Sequence, residues 1–308
     1  MPIRIPTVAL FVILTALFPF GPATAAEPAQ SHRTHESQHA KRIITIAPNA
    51  AEILCALGVC DRIVGVDKFC VHPLELSERP RVGGLFDPDL ERIVALNPDL
   101  VVLRGRCEAV EKLCRERGFA LYRDPTERLA DIERTAVELA RLVGRKSDGV
   151  RLAGDFRGRL EEIRRRTAGR PRPRVLVTIS REPQRTAAVM TTGPATFLDE
   201  AIEIAGGSNV FKDVEMAYPQ VSAESIVARR PEVIIEFMPD AIPSADRREQ
   251  LLADWKEFGS VPAVTNGRIH LITDAHALIP SLRYVEIVDR IAQWLHADGE
   301  MDGESKGR

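Results

Sequence analysis

One stretch of this chain is written twice. Leu90-Glu-Arg-Ile-Val-Ala-Leu-Asn-Pro-Asp-Leu-Val-Val-Leu103 aligns without a gap with Ala223-Glu-Ser-Ile-Val-Ala-Arg-Arg-Pro-Glu-Val-Ile-Ile-Glu236. Each copy reads as a short helix, a proline stop and a strand. Pro98 and Pro231 lack the amide hydrogen that a continuing helix needs, and they push the preceding residue out of helical geometry. The runs Leu100 to Leu103 and Val233 to Ile235 are apolar without alternation, as parallel strands covered on both faces require. A second correspondence precedes the first. Arg42-Ile-Ile-Thr-Ile-Ala47 and Arg174-Val-Leu-Val-Thr-Ile179 each open a half as a buried strand leading into a helix, and those helices end near Gly58 and near Gly206-Gly207, where glycine permits a left-handed cap. Two matches in the same order predict duplicated α/β lobes with central parallel sheets, Rossmann-like in build, with a ligand cleft between them.

Between the halves, Lys146 to Thr167 places Val150, Ala153, Phe156, Leu160 and Ile163 at helical spacing among charged residues. One amphipathic helix there, about 33 Å long at about 1.5 Å per residue, joins the lobes without a flexible hinge. Gly154 and Gly158 weaken it locally. The expected organisation is a first lobe over 41–145, a backbone helix over 146–170 and a second lobe over 171–297. The ends read differently. Arg4 precedes the apolar stretch Val8 to Phe20 and the A-x-A site Ala23-Thr24-Ala25, which predicts a cleavable signal peptide over 1–26. No cysteine follows that stretch to accept a lipid anchor, so the mature protein is expected in the periplasm and not as a lipoprotein. The segments 27–40 and 298–308 are polar and patternless, and are expected to be disordered; His32, His35 and His39 are assigned no role.

The chain carries a net charge of −2, and no basic stripe suits it to nucleic acid. There is no G-x-S-x-G, phosphate loop, C-x-x-C or G-x-G-x-x-G; His35-Glu36-Ser37-Gln38-His39 matches H-E-x-x-H in its letters but lies in the polar 27–40 segment, outside any helical pattern, so the chain reads as a binder and not as an enzyme. An unrecognised enzyme and an extracytoplasmic sensor module are the readings from other classes.

The repeat, together with Asn209-Val-Phe-Lys-Asp213, Tyr218-Pro-Gln-Val-Ser222 and Glu224, resembles the periplasmic binding proteins for cobalamin, ferric siderophores and haem, whose lobes are joined by a long helix. The second set is most similar to the cobalamin-binding member. The resemblance implies the substrate-binding component of an ABC importer, monomeric when free, which carries cobalamin or a related corrinoid to a permease dimer with its ATPase; a ferric siderophore, haem or other metal chelate is the alternative. It implies no tightly bound cofactor. It also implies that Glu91 and Glu224, at equivalent places in the two repeats, dock onto the two permease subunits, although each is equally readable as a favourable acid in the first turn of a helix.

Ligands of α/β lobes collect beyond the carboxyl ends of the strands. That rule selects loops near Pro48 and Asn49, Phe69 to His72, Leu85 and Phe86, and Arg104 to Cys107 in the first lobe. In the second it selects Ser180 and Arg181, Tyr218, Met238 to Asp240, and Asp274 to His276. The resemblance aligns Phe69, Tyr218 and Asp274 with corrinoid contacts, and puts Leu85 and Arg104 where that member carries tryptophans and Leu278 where it carries an arginine. Its disulfide has no counterpart, the matching positions being Ala205 and Ala292. The ligand-binding set is therefore Phe69, Cys70, His72, Leu85, Arg104, Arg181, Tyr218, Asp274 and His276. Arg104, Arg106, Arg123 and Arg181 form a candidate electropositive lining suited to an anionic chelate. Cys70, His72, Cys107 and His276 are weak candidates for a metal site; Cys70 and Cys107 read equally as a disulfide pair or as packing residues. Cys55, Cys60 and Cys114 read as small core residues.

Overall fold

The computed structural model describes residues 39–181, 188–238 and 245–297. The signal-peptide reading, most of the 27–40 segment with His32 and His35, Asp240 and the 298–308 tail lie outside the described residues. No described helix is long and apolar enough to cross a membrane. The chain divides into two compact units, the first comprising residues up to Arg157 together with Ala275–Tyr284, the second Gly158–Asp274 together with the residues from Val285 on.

In the first unit, β1 (Ile43–Ile46), α1 (Pro48–Ala56), β2 (Ile63–Val66), α2 (Leu90–Leu96), β3 (Leu100–Arg104), α3 (Glu108–Arg117), β4 (Ala120–Asp124) and α4 (Leu129–Val143) follow one another. The strands form one parallel sheet in the order β2-β1-β3-β4. Alternate residues leave on opposite faces. Ile43, Leu100 and Val102 pack with Ile53 and Leu54 of α1 and Leu139 and Val143 of α4. Ile44, Ile46, Val101 and Leu103 pack with Ile93 of α2 and Val110 and Cys114 of α3. Every residue of β1 and β3 is buried, which is why neither strand alternates in sequence.

Helix α5 (Lys146–Thr167) crosses from the first unit into the second. Its buried stripe differs at one end from the sequence expectation, because Val150 is 56 % exposed while Ala153, Phe156, Leu160 and Ile163 are buried. Gly149 takes the expected place of Val150, since a Cβ there would stand 2.3 Å from Ala140 Cβ on α4. Only glycine allows that approach.

The second unit contains β5 (Arg174–Thr178), β6 (Ser180–Arg181), β7 (Ala188–Met190), α6 (Phe197–Ile204), β8 (Ser208–Asn209), β9 (Gln220–Ser222), α7 (Ala223–Arg229), β10 (Val233–Phe237), α8 (Ala245–Asp254), α9 (Pro262–Thr265), β11 (Ile269–Ile272) and most of α10 (Tyr284–His296). Its main sheet, β11-β10-β5-β8, is parallel; a small antiparallel sheet, β6-β7-β9, accompanies it. Read as β8-β5-β10-β11, the main sheet repeats the strand order of the first unit.

The duplication reaches the hydrogen bonds. Asp89 caps α2 by accepting from the Arg92 amide at 2.9 Å, and Ser222 caps α7 by accepting from the Ser225 amide at 3.3 Å. Both helices end on a left-handed residue before the proline, Asn97 at φ 45° and Arg230 at φ 44°. Arg42 donates to the Asn97 carbonyl at 3.0 Å and Arg174 to the Arg229 carbonyl at 3.1 Å, so each opening strand closes the end of its repeat helix. Asp99 accepts from the Arg42 amide at 3.0 Å, and Glu232 from the Arg174 amide at 2.8 Å. Gly58 and Gly206 supply the positive φ, 74° and 83°, one residue beyond the caps of α1 and α6.

Candidate functional site

Each unit presents the carboxyl ends of its parallel strands at one edge; Arg104 ends β3, whereas Arg181 and Tyr218 lie on and beside the small antiparallel sheet. In the first unit, Asp124 at the end of β4 accepts from Asn49 of α1, from the Thr135 hydroxyl at 2.9 Å and from the Thr126 amide at 3.1 Å. This buried cluster fixes the edge without engaging solvent. Beyond β2, Asp67 is fully buried and accepts from the Phe69 amide at 2.8 Å. Arg81 binds the carbonyls of Asp67 and Cys70, and so shapes the turn that carries Phe69. Burial pushes the Asp67 carboxyl up to about 7; the Phe69 and Cys70 amides and the charges of Arg81 and Lys68 oppose the rise. The Lys68 ammonium lies 5.2 Å from the Phe69 ring centre and 2.6 Å from Asp87. Phe69 and His72 are partly exposed, Leu85 is buried and Phe86 is 55 % exposed.

Arg104 ends β3. It is 6 % exposed, and no described residue accepts a hydrogen bond from its guanidinium or pairs with it as an ion. The other expected arginines of the lining behave differently. Arg106 is exposed, and Arg123 pairs with Glu111. Arg181 corrects the sequence reading most plainly. Its side chain is 2 % exposed and donates to Glu236 at 2.7 Å, to Asp254 at 2.8 Å and to the Leu251 carbonyl at 3.1 Å, while Trp255 donates from Nε1 to Glu236 at 2.8 Å. Its charge is neutralised within the second unit, where it ties β6 to β10 and α8. The four arginines are therefore not one electropositive lining.

Tyr218 is buried before β9, and Asp274 is held by Arg290 of α10, at 3.2 Å for one of the two contacts. His276 lies in the segment Ala275–Tyr284, which groups with the first unit. Glu52 of α1 anchors that segment, accepting from Ser281 at 2.5 Å and from Arg283 at 2.6 and 3.0 Å. Leu278 in the same segment is fully buried.

The cysteine readings also need correcting. Cys55 and Cys60 form a disulfide, their Cα atoms 4.2 Å apart, because Gly58 turns the chain back at the end of α1. Cys70 and Cys107 are both free. They cannot pair, since Cys70 packs on the sheet face covered by α1 and α4 and Cys107 on the face covered by α2 and α3. Burial pushes the Cys70 thiol up to about 12 and the Cys114 thiol up to about 11, so neither is a thiolate at neutral pH. Among the described residues no group of three or more His, Cys, Asp or Glu is placed to hold a metal ion; Cys70, His72, Cys107 and His276 do not form such a group. The spacing of Cys55 and Cys60 around a helix-ending glycine was the available signal for the disulfide.

Glu91 and Glu224 are exposed and occupy the second position of α2 and of α7, one residue past each helix start. The Ser222 hydroxyl, then the Glu224 amide, hold the Glu224 carboxyl below its ordinary range.

Two parallel-sheet units are built on one repeated plan, each opened by a buried strand and carrying one copy of the helix-proline-strand repeat. The chain belongs to the periplasmic binding protein family, whose model matches residues 43–275. It is 28 % identical over 262 residues to a vitamin B12-binding protein of Vibrio cholerae serotype O1, covering 83 % of this chain and 89 % of that protein. It is 29 % identical over 289 residues to a cobalamin-binding protein of Halobacterium salinarum, covering 89 % of this chain and 74 % of that one. The crystal structure of the periplasmic vitamin B12 binding protein of Vibrio cholerae superposes with a TM-score of 0.71 at 28 % identity, over 84 % of this chain and 97 % of that structure. A periplasmic haem-binding protein of Pseudomonas aeruginosa, 21 % identical over 85 % of this chain and 94 % of its own, shares the fold with a TM-score of 0.73.

Proposed function

We propose that this chain is the periplasmic, signal-peptide-exported binding component of an ABC importer, and that it captures cobalamin or a related corrinoid and delivers it to an inner-membrane permease dimer. The observation that carries this reading is the 28 % identity to the vitamin B12-binding relative over 83 % of the chain, far more than a shared fold requires. The lobes are built on 41–145 and 171–297, joined by the helical segment 146–170, with Ala275–Tyr284 returning to the first, and the free protein is a monomer. Phe69 and Tyr218 supply aromatic surface to the macrocycle. Leu85 and Arg104 border the ligand, Asp274 and His276 add polar contacts, and Glu91 and Glu224 dock one on each permease subunit. Their common position in a twofold repeat suits a symmetric partner.

Calorimetric titration of the purified protein with cobalamin, cobinamide, haem and a panel of ferric siderophores tests the ligand. Micromolar or tighter binding of the corrinoids alone is the expected result; selective binding of haem or of a siderophore would replace it. Reversing Glu91 and Glu224 to arginine is expected to impair transport with ligand affinity intact. Equal loss of affinity with unchanged transport per bound ligand would remove the docking role.

A further inference from the structure

Most buried charges described in this chain have partners of opposite sign or several hydrogen bonds. Arg181 has two carboxylates and a carbonyl, Glu52 has a serine and an arginine, and Asp124 accepts from three side chains. Arg104 is the contrast. It is 6 % exposed, it makes no side-chain hydrogen bond or ion pair with a described residue, and a guanidinium cannot shed its proton to escape burial. Its charge acts on the Glu127 carboxyl. Burial raises the Glu127 carboxyl, Arg104 opposes that rise, and Asp124 and Asp131 add to it. The two are nevertheless not ion-paired.

A largely buried guanidinium that meets no hydrogen-bond acceptor among the described residues has its donors open to an incoming anion. Its place is the carboxyl end of β3, one of the two inner strands of the first unit's parallel sheet, where ligands of such folds collect. A guanidinium offers a planar fork of donors that matches two oxygens of a carboxylate or phosphate. We propose that Arg104 is the anion receptor of the first unit, taking a carboxylate or phosphodiester group carried by the bound ligand. This rests on the reading of the chain as a ligand-capturing protein and names the chemistry one of its halves recognises.

The test is calorimetric titration of the full mature chain and of Arg104→Gln with cobalamin, which carries a phosphodiester, with cobinamide, which has the same ring without it, and with haem and ferric citrate, which carry carboxylates. A charge-assisted pair of hydrogen bonds is worth about tenfold to a hundredfold in affinity. The variant is expected to lose that factor for cobalamin and none for cobinamide; loss confined to haem or ferric citrate would assign the carboxylate source. Corrinoid affinities both unchanged in the variant, with haem and citrate unchanged as well, would overturn the receptor. Should the wild type bind neither corrinoid, the corrinoid reading falls, and haem and ferric citrate decide Arg104. Weaker binding by the variant supports the receptor; equal binding, or none by the wild type, overturns it. Melting of ligand-free Arg104→Gln and Arg104→Leu supplies a readout independent of ligand. Both are expected to melt at or above the wild-type temperature, and lower melting with unchanged affinities would make Arg104 a structural residue.

Discussion

Two arginines at strand ends, one in each unit, show how differently the two halves accommodate a strand-end charge. Arg181 is enclosed by Glu236, Asp254 and Trp255; Arg104 is 6 % exposed, and no described residue accepts a hydrogen bond from its guanidinium. Around them the two units keep the same strand order, the same left-handed residue before the same proline and the same arginine closing the repeat helix. Backbone groups must be satisfied in any fold, so the parts that satisfy them persist. Strand-end side chains carry no such obligation. Arg181 lies on β6 of the small antiparallel sheet and is neutralised there, whereas Arg104 ends β3, whose repeat counterpart β10 ends at Phe237, and meets no ion-pair partner among the described residues.

The sharpest way to break this contrast is Arg181→Met. It leaves Glu236 and Asp254 buried without their cation and is expected to destabilise by about 3–5 kcal/mol in urea unfolding; an unchanged midpoint would show that the anchor is not one. Asp67 supplies a pH-dependent counterpart in the first unit. Its folded-state carboxyl titrates near 7 and an unfolded one near 3.8, so through that window the folded protein keeps a proton that the unfolded chain has lost. Stability is then expected to fall as pH rises from about 4 to about 7 and to level off above, with a span of up to about 4 kcal/mol. Asp67→Asn should flatten the dependence and be the more stable protein at pH 8, as measured by unfolding midpoints across pH. Replacing Cys55 and Cys60 by serine removes a short covalent loop present in the first unit only, and is expected to cost about 2 kcal/mol. The smallest effects test what the units share. Asp89→Ala and Ser222→Ala each remove one helix cap and should each cost about 1 kcal/mol, nearly equal to one another; a large disparity would mean that the repeats are alike in shape but not in energetics.

Much of the architecture was legible in sequence because it rests on local signals. Pro98 and Pro231 mark the ends of α2 and α7, Gly58 and Gly206 mark the turns after α1 and α6, and the unalternated runs at Leu100 and Val233 are buried strands. Val150 misled because helical spacing alone does not reveal that α4 comes within a methyl's width of Gly149. The site was legible as positions and not as chemistry. Strand-end logic placed Arg104 and Arg181 alike, and their difference depends on partners distant in sequence, Glu236 and Asp254 for Arg181 and none among the described residues for Arg104. Glu52 and Arg283 meet across most of the chain, a pairing for which no local pattern exists. Cys70 and Cys107 were separated by the sheet itself, a fact that requires knowing which face each loop joins.

The return of Ala275–Tyr284 to the first unit bears on the order in which the molecule is completed during synthesis. No single cut separates the units, and the first is unfinished until Ser281 and Arg283 have emerged to meet Glu52. A chain that ends after Asp274 lacks both partners of the Glu52 carboxylate, the Ser281 hydroxyl and the Arg283 guanidinium. The unit that begins the chain is thus closed by residues from near its end.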